Sequence, residues 1–377
     1  MLNFASIRTV CGAAFAAFAL AVPAAAQSPY GYNIVDLGAL GGTTSAGVGI
    51  NASGQVAGTS TATNPFVSSG VRWTGAAAEV LTALGGTNSY AAAINESGQI
   101  TGSSLLAGDN FHHAAVWTGT AVADLGTLGG TSSEGHGISA GGQVAGYSTL
   151  AGSTITRAFR GSGAALTALD TLDGDNSYGY GINDSGQVAG FSDTAVPFSR
   201  HAVRWTGLTA EDLGTLGGNS SYGFGINASG QIAGLSEGAG FRGFHAVRWT
   251  GTTATDLGTL GGTNCRGFGI NASGDVVGSS TLSNGLYDAF LYAGSRMIDL
   301  NTLLPAGSGW QLTNAHDIND NGWITGRGFI NGQTHAYILR PNAVPEPSAL
   351  AVMALGALTF GVGLRRRKRF ATAETLR

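Results

Sequence analysis

One ten-residue string, Gly-Ile-Asn-Ala-Ser-Gly-Gln-Val-Ala-Gly and its variants, recurs seven times along this chain of 377 residues. Its isoleucine falls at Ile50, Ile94, Ile138, Ile182, Ile226, Ile270 and Ile318, at intervals of 44 residues five times and then 48. A period of that length marks one supersecondary unit that cannot bury its apolar face alone and must stack on copies of itself. Residues 221–257 show the unit. A short strand ends at Ile226, and Asn227-Ala228-Ser229-Gly230 makes a tight turn in which Asn caps with its side chain and Gly supplies a positive φ. Residues 231–234 return. Residues 245–249 form a third strand, with His245, Val247 and Trp249 on one face and Ala246 and Arg248 on the other. Thr250-Gly251 turns into a fourth strand at 252–257, and 258–262 lead to the next copy. Helical periodicity is almost absent between the two ends of the chain.

Four antiparallel strands in 44 residues predict a β-propeller blade, and seven copies predict seven blades within 27–343. The strand count also predicts how the ring is tied. A fourth-type strand at 32–38 precedes any first strand, and the last copy stops after its third strand at 335–339. The counts balance if the N-terminal strand completes the last blade, which removes exposed sheet edges. Glycine supplies 63 of 377 residues, well above the usual ~7%, as many tight turns require. The expected fold is therefore all-β: a seven-bladed β-propeller of four-stranded repeats, with a helical signal peptide and a C-terminal transmembrane helix outside it.

Residues 1–26 read as a signal peptide: Arg8 starts it, an apolar run of twelve spans 11–22, and Ala24-Ala25-Ala26 sets cleavage between Ala26 and Gln27. A run of twelve is too short to cross a bilayer. At the other end, Val344-Pro345-Glu346-Pro347-Ser348 precedes an apolar stretch of sixteen, 349–364, and then Arg365-Arg366-Arg367-Lys368-Arg369. Sixteen residues is marginal for a span, but flanking arginines snorkel and the basic cluster should stay cytoplasmic. The tail, 344–377, resembles the PEP-CTERM sorting signal of Gram-negative bacteria, with Pro345, Glu346 and Pro347 as the matching motif. That resemblance implies recognition by an exosortase-type enzyme, membrane insertion before processing, cleavage near the motif, and release or attachment at the outer cell surface. A plain C-terminal membrane anchor is the alternative. The repeats, from Asp36 to about Leu339, resemble the HAF family of extracellular repeats through His113-Ala114, His201-Ala202, His245-Ala246 and His335-Ala336. Ser69, Arg157 and Asp288 depart from that pattern. The resemblance implies an extracellular location and little defined activity.

Residues 27–343 carry 11 arginines, no lysine and 20 acidic residues, a net charge of −9. That balance excludes a nucleic-acid partner, whose backbone needs a basic surface. Cys265 is the lone cysteine of this region, and Ser133, Ser177 and Ser221 occupy its position in preceding copies, so it reads as a spectator. Histidines spread one per blade cannot converge on one metal, and Asp36, Asp124, Asp212, Asp256 and Asp299 read as turn caps. The Asn-x-Ser strings at Asn51, Asn95, Asn183, Asn227 and Asn271 look like glycosylation acceptors, but the hairpin turn explains them. Asp170, Asp173 and Asp175 depart from the repeat and suit Ca²⁺, the one cofactor considered, or else form a solvated acidic loop. No catalytic motif is present.

The binding clue is positional. Loops between second and third strands carry Phe66, Phe111, Phe198, Phe241 and Tyr287, with Phe329. The connectors that share their face, or the adjoining strand starts, carry Tyr90, Tyr178 and Tyr222 beside Asn88, Asn176 and Asn219. Aromatic rings among amides and carboxylates suit a sugar, with an apolar face and hydroxyl edges; the competing expectation is that these rings pack on the next blade. The reading that follows is an exported, non-enzymatic surface or matrix propeller that binds polysaccharide or a surface protein. The alternatives are a polysaccharide lyase or hydrolase, drawing on Asp170, Asp173, Asp175, Glu134 or Arg266, and a purely structural surface protein.

Overall fold

The turn after each first strand fixes the geometry of a copy. After the strand Gly217–Ile226, the Asn227 carbonyl accepts the Gly230 N–H at 3.0 Å and its Oδ1 accepts the Gln231 N–H at 2.9 Å. Gly230 sits at φ +77°, which a side chain would strain. The strand Ile232–Gly238 returns antiparallel, and His245–Thr250 and Thr253–Gly258 complete the unit. The computed structural model describes residues 31–240 and 243–342. The expected leader with its Ala26–Gln27 cleavage point, Phe241, the Pro345-Glu346-Pro347 motif and the expected helix at 349–364 lie outside them.

Among the described residues the fold is all-β, with one short 3₁₀ turn. Six antiparallel units of four consecutive strands open with Gly41–Ile50, Gly85–Ile94, Gly129–Ile138, Asp173–Ile182, Gly217–Ile226 and Cys265–Ile270. The turn Leu300–Leu303 then fills the longer final interval, with Leu300 and Leu303 buried and Asp299 Oδ1 accepting the Asn301 N–H at 2.8 Å. Three strands follow, Gln311–Ile318, Ile324–Ile330 and Gln333–Pro341, and the fourth partner is the N-terminal strand Tyr32–Gly38, antiparallel to the last. Each first strand contacts the first strand of the next copy, and Gln311–Ile318 contacts Gly41–Ile50.

Both faces of the third strand are covered by neighbouring copies. Val247 and Trp249 pack with Leu213, Ala189 and Ala202 toward the preceding copy. Ala246 packs with Cys265, Val276 and Phe290 of the following one. Arg248 on that same face donates from Nη1 to the Gly274 carbonyl of the next hairpin at 2.7 Å, as Arg160 does to Gly186 at 2.6 Å. The apolar residues therefore form a series of clusters, each shared by two neighbouring copies. One joins Ile50, Val56 and Trp73 of the first copy to Ala336 and Ile338 of the last.

Polar side chains make the same links. The buried Asn51, Asn95, Asn183 and Asn227 donate Nδ2 to the carbonyls of Asn95, Ser139, Asn227 and Asn271 in the following turns, at 3.0–3.2 Å. Asn319 donates to the Asn51 carbonyl at 2.9 Å. These amides face the protein interior, so the turn does account for the Asn-x-Ser strings. Histidine and aspartate, read separately from the sequence, prove to be partners: His113–Asp124, His201–Asp212 and His245–Asp256 pair third and fourth strands at 2.8–2.9 Å. His335 pairs with Asp36 of the N-terminal strand at 2.9 Å, and Asp36 Oδ1 also accepts the Gly38 N–H at 2.8 Å. A double-mutant cycle on His335→Ala and Asp36→Ala should return a coupling of about 0.5–1 kcal/mol in urea unfolding. Additive effects would mean that the pair contributes nothing to joining the chain ends.

Candidate ligand-binding site

One side-chain position per copy faces the middle of the molecule. Val48, Ala92, His136, Tyr180, Phe224, Phe268 and His316 line a central cavity of about 390 Å³ together with small residues such as Gly49 and Gly137. The lining is lopsided. Val48 and Ala92 are small on one side, while rings meet edge to face on the other: His136–Tyr180 at 4.8 Å, Tyr180–Phe224 at 5.3 Å and Phe268–His316 at 5.6 Å between centroids.

At the glycine or alanine position of the other copies, the seventh carries Asp317. Its Oδ2 accepts the Ile50 N–H and its Oδ1 the Ile318 N–H, each at 2.9 Å. Burial pushes this carboxyl up to about 7, against those two donors. Burial also pulls neighbouring His316 down to about 4, although its Nδ1 lies 2.8 Å from the Gly47 carbonyl. A raised carboxyl holds a proton that the unfolded chain has lost, so its contribution to stability falls as pH rises from the ordinary carboxylate range to about 7. His316 runs the other way, so the comparison must be with a variant of Asp317. Asp317→Asn should become progressively more stable than wild type as pH rises from about 4 to 8 in thermal melts; parallel stability curves would refute the shift.

A second row of positions lies two residues earlier: Ala46, Tyr90, Glu134, Tyr178, Tyr222, Arg266 and Asn314. Opposite them on the second strands stand Thr59, Ser103, Tyr147, Phe191, Leu235, Ser279 and Arg327. Tyr147 meets Tyr178 of the next copy at 4.9 Å, and Phe191 meets Tyr222 at 4.7 Å. Tyr178 and Tyr222 are thus half-buried in a layer between copies, where the packing alternative applies. Glu134 anchors this layer. Its carboxylate lies 3.0 Å from His112 Nε2 and 3.3 Å from His136 Nε2, with the Tyr147 hydroxyl also bonded to it. Burial pushes the Glu134 carboxyl up, but hydrogen bonds from His112 and its neighbours outweigh this and hold it well below the usual carboxylate range. The hydrogen bond to Glu134 in turn raises His112 above its ordinary value. A carboxyl held ionised accepts hydrogen bonds and cannot donate a proton as a general acid near neutrality. Glu134→Gln should move the His112 pKa, followed by NMR, down toward the ordinary histidine value; an unchanged titration would show that the pair is not made. Sequence reading singled out Glu134 as a departure but missed its histidines, which only the pairing of strands brings to it.

The predicted rim aromatics divide. Phe66, Phe111 and Phe198 are exposed, Phe66 to 88% and Phe198 to 99%, as are Tyr90, Tyr287 and Phe329. Phe198 and Tyr222 share a cavity of about 560 Å³ with Asp173, Asp175, Asn176 and Asp193. Asp173 stands in the place of glycines such as Gly129 and Gly217 and keeps their left-handed backbone, at φ +65°. Asp193 accepts from Asn176 Nδ2 at 2.8 Å and from Arg200 Nε at 3.0 Å. Asp170 lines neither this cavity nor its neighbour, and its carbonyl accepts the Trp205 indole N–H at 2.7 Å. Among the described residues, no three His, Cys, Asp or Glu side chains converge as a metal set. Tyr287 and Phe329 stand on the strands Tyr287–Ala293 and Ile324–Ile330 and not in the loops expected of them, and they line a larger cavity of about 720 Å³ with Arg266, Arg327 and Gln311. Phe66, Phe111 and Tyr90 line none of these cavities. Cys265 is buried, and burial pushes its thiol up to about 12, too high for a nucleophile at neutral pH.

The family model for the PEP-CTERM protein-sorting motif matches residues 343–368. The chain carries the signal of an exosortase substrate, which marks it for export and anchoring at the cell surface. No curated protein matches the sequence. Among solved structures, TolB from Acinetobacter baumannii aligns at 10% identity over 77% of this chain, with a TM-score of 0.45; the chain spans 64% of that structure. XC5397 from Xanthomonas campestris, a gluconolactonase, aligns at 8% identity over 82% of this chain and 90% of its own, with a TM-score of 0.41. A Trypanosoma rangeli sialidase aligns at 10% identity over 79% of this chain and 54% of its own, with a TM-score of 0.39.

Proposed function

We propose that the exported body is a seven-bladed β-propeller of HAF-like repeats, closed by its N-terminal strand, that binds polysaccharide through its loop-rich rim without cleaving it. The pairing of Tyr32–Gly38 with Gln333–Pro341 and the contact of the last first strand with Gly41–Ile50 favour the closed ring. The observation that carries the binding reading is the exposure of Phe66, Phe111 and Phe198 beside loops rich in amides and carboxylates. Large rings left in water cost free energy unless a partner covers them, and a pyranose offers the matching apolar face.

A glycan-array screen of the purified full chain, with and without Ca²⁺, tests this. Saturable binding that falls about tenfold on combined Phe66→Ala, Phe111→Ala and Phe198→Ala substitution is the expected result. Binding only in Ca²⁺ would bring Asp173 and Asp175 into the site. No binding to any glycan would leave a protein partner or a structural role. The Glu134 cluster is what an enzymatic reading would draw on, and shortening of a bound glycan abolished by Glu134→Gln would favour it.

A further inference from the structure

The inter-copy aromatic layer is confined to the third to fifth copies, and the gap beyond it toward the seventh copy is cationic. Between the third and fifth copies, Tyr147, Tyr178, Phe191 and Tyr222 fill the space between first and second strands. Toward the seventh copy the corresponding positions hold Ser279 and Asn314, and the volume those rings would occupy is left as the cavity of about 720 Å³. Two arginines enter it. Arg266 stands where other copies have Ala46, Tyr90, Glu134, Tyr178 and Tyr222, and Arg327 where they have Thr59, Ser103, Tyr147, Phe191, Leu235 and Ser279. No aspartate or glutamate lines the cavity, in a body whose net charge is −9.

The two guanidinium groups are available. Both arginines are exposed. Arg327 donates Nε to Asn314 Oδ1 at 3.2 Å, which leaves its two terminal nitrogens without a protein partner among the described residues. The Arg266 guanidinium has no ion pair or hydrogen bond among them. Tyr287 and Phe329, both exposed, flank the arginines. Gln311 is held in place by donating Nε2 to Asp288 Oδ1 at 2.9 Å. Asp288 itself is buried behind the cavity wall.

We propose that this cavity binds the carboxylate of an acidic polysaccharide, a uronic-acid residue seated between Arg266 and Arg327 with its ring against Tyr287 or Phe329. A guanidinium presents paired N–H donors that match a carboxylate, the aromatic ring covers the apolar sugar face, and the amides of Gln311 and Asn314 meet hydroxyls. The assignment rests on the polysaccharide reading above and narrows it to an anionic glycan and a place.

Calorimetric titration of the purified full chain with oligogalacturonides, and with the same oligomers methyl-esterified, separates the two. The acid oligomer should bind at least about tenfold more tightly than its ester, and Arg266→Ala with Arg327→Ala should abolish that preference. Arg72→Ala, which removes an arginine paired with Glu79 elsewhere, should leave it intact. Acid and ester binding alike would overturn the carboxylate site whatever the variants do. Acid binding that survives the double variant would assign it to the basic tail instead. Neutral glycans bound through Phe66, Phe111 and Phe198 with no preference for acid would overturn this site and keep the broader reading. No glycan bound at all would remove both.

Discussion

Everything in this molecule depends on sheets being covered on both faces by other sheets. A four-stranded sheet with one wet face would strand half its apolar residues, and a lone copy has no second layer to lean on. The close approach this needs is made by glycine. A Cβ on Gly137 would sit 2.5 Å from the Tyr180 carbonyl oxygen of the next copy, and one on Gly181 2.6 Å from that of Phe224, so a side chain at either place would push the copies apart. From that approach follow the small residues at Ala246 and Ala202, the arginines that reach across to the next hairpin, and the asparagine amides that tie one turn to the next.

The repeat made most of this legible. Period, turn chemistry and strand count can be read from Asn227, Gly230 and the alternation around Trp249, because each is a local consequence of local residues. The pairing of Tyr32–Gly38 with the last strand could be inferred from the count alone, since a leading fourth strand and a missing final one have a single economical solution. What escaped was what depends on neighbours in space. His335 and Asp36 are 299 residues apart and look like two unrelated repeat positions until the strands pair. The alternation puts Ala246 and Arg248 on one face, but sequence does not show what lies opposite them.

The candidate sites were less legible for a related reason. Repeats disguise a site when its residues are departures at different positions of different copies. Exposed phenylalanines such as Phe198 were found because loops announce themselves. Arg266 and Arg327 sit on strands, in columns that look variable, and only a shared cavity makes them one feature. Tyr178 and Tyr222 show what sequence cannot see: their rings meet Tyr147 and Phe191 between copies, and Tyr222 also lines the cavity with Phe198. Both candidate cavities lie where the copies stop being alike.

The path of the last strand has a mechanical meaning for a protein held at a surface by its C-terminal end. Gln333–Pro341 leads toward the tail and lies between two partners, Ile324–Ile330 on one side and Tyr32–Gly38 on the other. A pull on the tether therefore does not peel an edge strand one bond at a time. It must shear two ladders at once, and with them the His335–Asp36 pair. The strand borrowed from the far end of the chain thus acts as a lock, placed where traction from the envelope would be felt first.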